Sequence, residues 1–87
     1  MIDKQFNVNR LIRIYSNKTE LVVSEIEVRF YDVAKFQKLF NVSDYKNPMF
    51  DCYEITEEIT QEIETHMSSV PNWDFEKYSY YLEANAV

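Results

Sequence analysis

A run of acids without a base marks the second half of the sequence. Six acids lie between Asp51 and Glu64. Two carboxylates can cleave a glycosidic bond when they face each other across a cleft of about 5–9.5 Å and burial raises one pKa. Apolar residues at helical spacing predict a helix over 57–67, with its acids along the outer side. Such an exposed row favours binding over catalysis, and no catalytic residue is expected.

Two interpretations of these acids remain open. A solvated helix face explains them, because Glu57 and Glu58 would lie at the positive end of the helix dipole. However, Glu58 and Glu62 repel each other at i, i+4 and no lysine relieves them, which favours a patch that meets a basic partner. The predicted contact residues are Glu57, Glu58, Glu62, Glu64, Asp74 and Tyr81.

Other chemistries are excluded by residue types that are scarce or absent. The chain has no glycine, so phosphate-binding loops that need φ > 0 or close backbone approach cannot form. One cysteine and one histidine cannot build a Cys/His zinc site. We expect Cys52 to be a small buried hydrophobe and His66 to be half-buried or paired with the helix C-terminus. No metal and no cofactor are expected.

Charge is distributed unevenly along the chain. Residues 1–46 carry eight bases and six acids, whereas residues 47–87 carry nine acids and one base. The second half therefore has a net charge of -8 and the first half of +2, which sum to -6. This field repels nucleic acid and anionic lipid and attracts basic proteins. We expect no direct nucleic-acid partner and no membrane partner.

The elements that position these residues predict one α+β domain over 1–87. Their order is β-β-α-β-α-β, with two helices on one face of a mixed or mainly antiparallel sheet. Residues 1–9 are expected to form a loosely ordered arm. The predicted elements are strands over 10–16, 21–30 and 49–55, helices over 33–41 and 57–67, and an aromatic strand within 73–84.

Aromatic residues accompany the acids near the C-terminus. Tyr78 and Tyr80 fall on one face of the last predicted strand, whereas Tyr81 falls on the other face and could meet solvent. Tyrosine and tryptophan beside acids are good anchors for a protein interface, because they bury a large area with few rotatable bonds. A base-stacking site would need a positive groove instead.

The segments 49–55, the acids up to Glu64 and residues 74–83 resemble the immunity proteins that neutralise nuclease toxins, including those of contact-dependent growth inhibition. The resemblance implies a cytoplasmic, non-enzymatic inhibitor that binds a cognate, basic nuclease toxin. Two alternatives are a phage- or plasmid-encoded nucleic-acid mimic that inhibits a host defence nuclease, and a small enzyme with a carboxylate-lined pocket.

Overall fold

The two longest strands form the centre of the sheet. In the computed structural model, which describes residues 2–87, β2 (Val8–Ser16) pairs antiparallel with β5 (Tyr78–Ala86) over nine residues. Ile12 and Ile14 of β2 pair with Leu82 and Tyr80 of β5, and all four side chains are buried in the core. The residues between them along each strand point to the opposite face of the sheet. This pair separates a core face from an open face.

Within the described part of the chain, three shorter strands complete the sheet, and every pairing between these strands is antiparallel. β1 (Ile2–Asp3) and β3 (Val22–Glu27) pair with successive parts of β2, and β4 (Tyr53–Glu54) pairs with β5. The α+β class and the predicted order are confirmed, with β1 as an additional strand. Of residues 1–9, expected to form a loose arm, Ile2–Asp3 form β1 and pair with Val8 and Asn9, which already belong to β2. Met1 lies outside the described residues.

Two short helices pack on the core face. α1 (Val33–Leu39) begins after Asp32, whose carboxylate accepts hydrogen bonds from the backbone of Ala34 and Lys35, as an N-cap should. α2 (Thr60–Glu64) follows a 3-10 turn over Glu57–Ile59. Among residues 2–87, neither helix is long and apolar enough to cross a membrane.

The prediction of one continuous helix over 57–67 is wrong at both ends. The first three residues form the 3-10 turn, and the chain leaves the helix after Glu64. The following backbone instead pairs with the end of β3, where Arg29 N donates to His66 O at 2.6 Å and Ser68 N donates to Glu27 O at 3.0 Å. Strand pairing therefore replaces the last expected helical turn.

The core is made by both helices and one face of the sheet. Phe36 of α1 and Ile63 of α2 are fully buried against the inward residues of β2 and β5. The prediction that Tyr80 points inward from the last strand is confirmed, because Tyr80 is buried in the core. The half-buried state expected for His66 is also observed; its Nδ1 lies 2.9 Å from Phe30 O.

Left-handed backbone shortens two predicted strands. Phe30 has φ 52° and is 70% exposed, so the strand expected over 21–30 ends at Glu27. Met49 has φ 59°, and of the strand expected over 49–55 only β4 forms. Because the chain has no glycine, the five positions with positive φ among residues 2–87 all carry side chains. They are Asn7, Glu20, Phe30, Asn41 and Met49.

A buried guanidinium holds the N-terminus and the loop before β4 against β2. Arg10 is fully buried, pairs with Asp3 at 3.3 Å and donates to the carbonyl oxygen of Pro48 at 2.7 Å. It also donates to Met49 O and lies 4.3 Å from the centre of the Tyr31 ring. Its charge is therefore matched on all sides, as a buried cation requires.

Candidate protein-binding surface

The 3-10 turn and the aromatic segment before β5 form two adjoining hollows. The first, here the edge hollow, has a volume of about 360 Å³ and includes Glu54, Glu57 and Glu58 among its lining residues. The second, here the indole hollow, has a volume of about 590 Å³ and includes Trp73 and Asp74. Glu57 and Phe75 line both hollows. The two hollows therefore form one continuous surface.

Aromatic side chains give this surface a rigid floor. The rings of Trp73 and Phe75 stack at 5.8 Å with an interplanar angle of 4°. Both rings also pack edge-on against Tyr80, at 4.7 and 5.0 Å. Tyr80 is buried in the core and its hydroxyl accepts a hydrogen bond from the Asp74 backbone at 2.9 Å. The segment before β5 is thus fixed to the core rather than free to move away.

A third hollow, the tyrosine hollow, lies on the open face of the sheet. It has a volume of about 380 Å³ and is lined by Tyr15 and Tyr81, with Glu20 and Glu83 among the other lining residues. Ser79 lines both this hollow and the edge hollow. The acidic surface therefore continues from the open face, around the β4 edge, to the indole hollow.

The structure brings four of the six predicted contact residues onto this surface. Glu57, Glu58 and Asp74 line the edge and indole hollows, and Tyr81 lines the tyrosine hollow. Tyr81 is half-buried, and its ring packs edge-on against Tyr15 at 5.6 Å. The contact role itself stays a prediction.

The other two predicted residues are placed differently. Glu64 is half-buried and accepts a hydrogen bond from the Trp73 indole at 2.6 Å. It therefore fixes the position of the Trp73 ring. Glu62 is exposed but does not line any of the three hollows. The 3-10 turn over Glu57–Ile59 interrupts the continuous α-helix that the predicted row of acids assumed. Of Glu57, Glu58 and Glu62, only the first two line a hollow.

The acids around the edge and indole hollows are not paired with neighbouring bases among the described residues, whereas Glu83 of the tyrosine hollow is paired with Arg13. None of the residues lining the three hollows is a lysine, arginine or histidine. Within residues 2–87, no lysine or arginine forms an ion pair with an acid between positions 51 and 76. Glu58 is exposed, and hydrogen bonds from the Thr56 side chain and then from its own backbone lower its pKa. It is therefore negative at neutral pH.

A polar network supports the open face. Arg13 bonds Glu25 and Glu83, each at 2.7 Å, and the Tyr15 hydroxyl donates to the other oxygen of Glu83 at 2.5 Å. This hydrogen bond to Glu83 is the main cause that raises the pKa of Tyr15. Tyr15 is therefore a neutral phenol at neutral pH and a poor general base.

Cys52 is not the buried hydrophobe that the sequence predicts, because it lies exposed on the short β4 edge and lines the tyrosine hollow. Partial loss of solvent, and then the charge of Glu83, raise the pKa of its thiol. A thiol that stays protonated is a weak nucleophile. Within the described residues, no group of three His, Cys, Asp or Glu side chains could hold a metal ion.

Sequence reasoning missed several carboxylates of this surface. Glu54 and Glu76 join the predicted acids in the edge and indole hollows, and Glu20 and Glu83 come from strands and a turn far from the acidic run. The alternation of β5 places Glu83 beside Tyr81 in sequence phase, which is the signal that was available. The position of Glu20 depends on the hairpin turn and had no such signal.

A protein-family model, a domain of unknown function (DUF7683), matches residues 9–83 of the chain. This chain belongs to that family. No curated protein and no solved structure matches it.

Proposed function

We propose that this member of the DUF7683 family is a cytoplasmic, non-enzymatic inhibitor of the immunity type, which binds a basic nuclease toxin through its acidic surface. One observation carries the proposal. Three adjoining hollows are lined by carboxylates and aromatic rings and by no basic side chain. Surfaces of this kind steer cationic proteins into contact and exclude anionic ones.

The aromatic floor supports binding rather than simple solvation of the acids. Trp73 and Phe75 are half-buried and stacked, so a partner gains apolar contact without ordering mobile side chains. Arginine and lysine side chains can contact both ring faces and carboxylates. Nuclease domains present such side chains to phosphate, so an inhibitor that occupies them competes with the nucleic acid.

The proposal is tested with the product of the adjacent gene as the first partner. We expect a stable complex by size-exclusion chromatography and loss of nuclease activity when the two proteins are mixed. Affinity should fall as NaCl rises, because salt screens the attraction between the surfaces. Absence of a complex, or a complex in which nuclease activity is unchanged, would contradict the proposal.

A matched pair of charge reversals locates the interface. Glu57 lines both the edge and the indole hollows, whereas Glu62 lines none of the three hollows, and both side chains are exposed. Glu57→Lys should weaken binding by at least about tenfold, mostly through a slower association rate. Glu62→Lys makes the same change in net charge and should have an effect of about twofold or less. Equal effects of the two variants would remove the hollows from the interface.

A further inference from the structure

The tyrosine hollow differs from the other two hollows in its walls. The rings of Tyr15 and Tyr81 meet with an interplanar angle of 84° and form a corner. The Ser79 hydroxyl donates to Asn17 Oδ1, and both residues line the hollow. The hollow is therefore bounded by two aromatic rings and a fixed polar rim.

A buried carboxylate lies at the base of this corner. The Glu83 side chain is only 7% exposed, and its two oxygens bind Arg13 and Tyr15. Each carboxylate oxygen has two acceptor sites, so these bonds leave capacity for a further donor. Arg13 does not cancel the local charge, because it also binds Glu25. Arg13, Glu25 and Glu83 together carry a net charge of -1, and Glu20 on the lining adds another negative charge.

The lining restricts the class of ligand. With no basic residue in the lining, an anion would meet only repulsion. A hard metal ion needs several oxygen ligands, and no such group is present within residues 2–87. A purely apolar ligand would leave the serine, asparagine and carboxylate groups unsatisfied. An organic cation matches both the ring faces and the negative charge.

We infer that the tyrosine hollow recognises an organic cation, namely the ammonium or guanidinium group of one lysine or arginine side chain of the bound protein. The identity of the cation as a partner side chain rests on the proposed function. The recognition itself rests on the two tyrosine rings and the two carboxylates of the hollow. Because Ser79 lines both hollows, this side chain would bind next to the residues that contact the edge hollow.

The free protein is titrated with blocked amino acids to test the cation recognition. The probes are N-α-acetyl-lysine methylamide and N-α-acetyl-arginine methylamide, with the N-ε-acetylated lysine derivative as the uncharged control. In ¹H–¹⁵N NMR spectra we expect saturable shifts confined to residues 15–20, 52 and 79–83, with a dissociation constant on the order of 1 mM for at least one charged probe. The uncharged control should produce no saturable shifts. If neither charged probe saturates, or if the control binds equally well, the inference is wrong.

Two variants and a matched control show which groups act. Tyr81→Ala should abolish saturation, and Glu20→Gln, at an exposed position, should weaken it by about fivefold. Glu62→Gln removes the same charge outside the hollow and should bind the probes as the wild type does. Amide spectra of the unliganded variants report whether each keeps its fold. Wild-type binding by a folded Glu20→Gln variant would overturn the inference even if Tyr81→Ala proved unfolded.

Binding to the partner protein separates this inference from the proposed function. If Glu57→Lys weakens the complex but Glu20→Gln leaves the affinity unchanged, the tyrosine hollow is not a contact and the proposed function stands. If the probes bind but no basic protein does, the hollow recognises cations and the proposed function fails.

Discussion

Among residues 2–87, two arginines of the N-terminal half are ion-paired, whereas most acids of the C-terminal half are not. In the N-terminal half, Arg10 and Arg13 are bound to acids and fix the sheet. Around the edge and indole hollows, the acids are not paired with lysine or arginine from the described part of the chain. The difference teaches that charge count alone is a poor guide to function. Arg10 is held by Asp3, and Arg13 is held by Glu25 and Glu83, so the field of the acids around the edge and indole hollows remains available to a partner.

Removal of Arg10 should have the largest effect on stability. Arg10→Met leaves Asp3 buried without its cation and frees two backbone carbonyls of the loop before β4. We expect a loss of about 3–5 kcal/mol in the free energy of unfolding, measured by urea denaturation. Lys35→Gln removes an exposed cation and serves as the control, with a change within about 0.5 kcal/mol. A small effect of Arg10→Met would show that the buried ion pair between Arg10 and Asp3 does not stabilise the fold.

Alkaline pH should have the next largest effect on stability, through Tyr31 beside Arg10. Burial, as the first cause, raises the pKa of Tyr31 to about 12. Because its proton is held more tightly in the folded state, the contribution to stability is complete below pH 10 and is lost as the pH rises through 12. Urea denaturation between pH 9 and 12 should show this decline, and Tyr31→Phe should make it less steep. An equally steep decline in Tyr31→Phe would assign it to other groups.

Arg13→Gln should cost less than Arg10→Met. Arg13 is partly exposed, so water replaces some of its bonds, but the buried Glu83 loses its cation and keeps the neutral Tyr15 hydroxyl as a donor. We expect a loss of about 1–2 kcal/mol in urea denaturation. The tyrosine hollow should become more negative in this variant, so charged probes that still bind should bind no more weakly. A loss as large as that of Arg10→Met would show that the partly exposed pair Arg13–Glu83 stabilises the fold as much as the buried pair Arg10–Asp3.

Neutralising an acid of the other half should have the smallest effect. Glu62 is exposed and forms no ion pair with a base of the described residues. Glu62→Gln should change the free energy of unfolding by no more than about 0.5 kcal/mol. A larger loss by urea denaturation would mean that these acids stabilise the fold, and the contrast between the halves would disappear.

Strand and cap patterns made most of the fold predictable. Asp32 identified the start of α1, and the alternation of Tyr80 and Leu82 identified the inward face of β5. Other boundaries depended on tertiary contacts. The pairing of His66 and Ser68 with β3 ended the second helix, and the burial of Arg10 ordered the segment expected to be loose. Periodicity within one segment of sequence cannot predict hydrogen bonds between residues that are far apart along the chain.

The candidate surface was predictable only in part. The acidic run pointed to Glu57 and Glu58, and local phase pointed to Tyr81. Helical periodicity places Glu62 with Glu57 and Glu58, but it does not predict the 3-10 turn, and Glu62 lines none of the three hollows. The alternation of β5 predicts that Glu83 lies beside Tyr81, but Glu20 reaches the same surface through strand pairing across more than sixty residues of chain, which no local pattern encodes.

Five of the described residues hold a left-handed backbone although each carries a side chain. Asn41, exposed directly after the C-cap of α1, occupies a conformation that a residue lacking Cβ adopts without steric conflict. Asn41→Gly would remove the Cβ from this position without changing any residue that lines a hollow. Glu20 has the same backbone conformation, but the same exchange would remove a lining carboxylate. Backbone conformation and the acidic surface can therefore be changed separately at Asn41, whereas at Glu20 a change in one also changes the other.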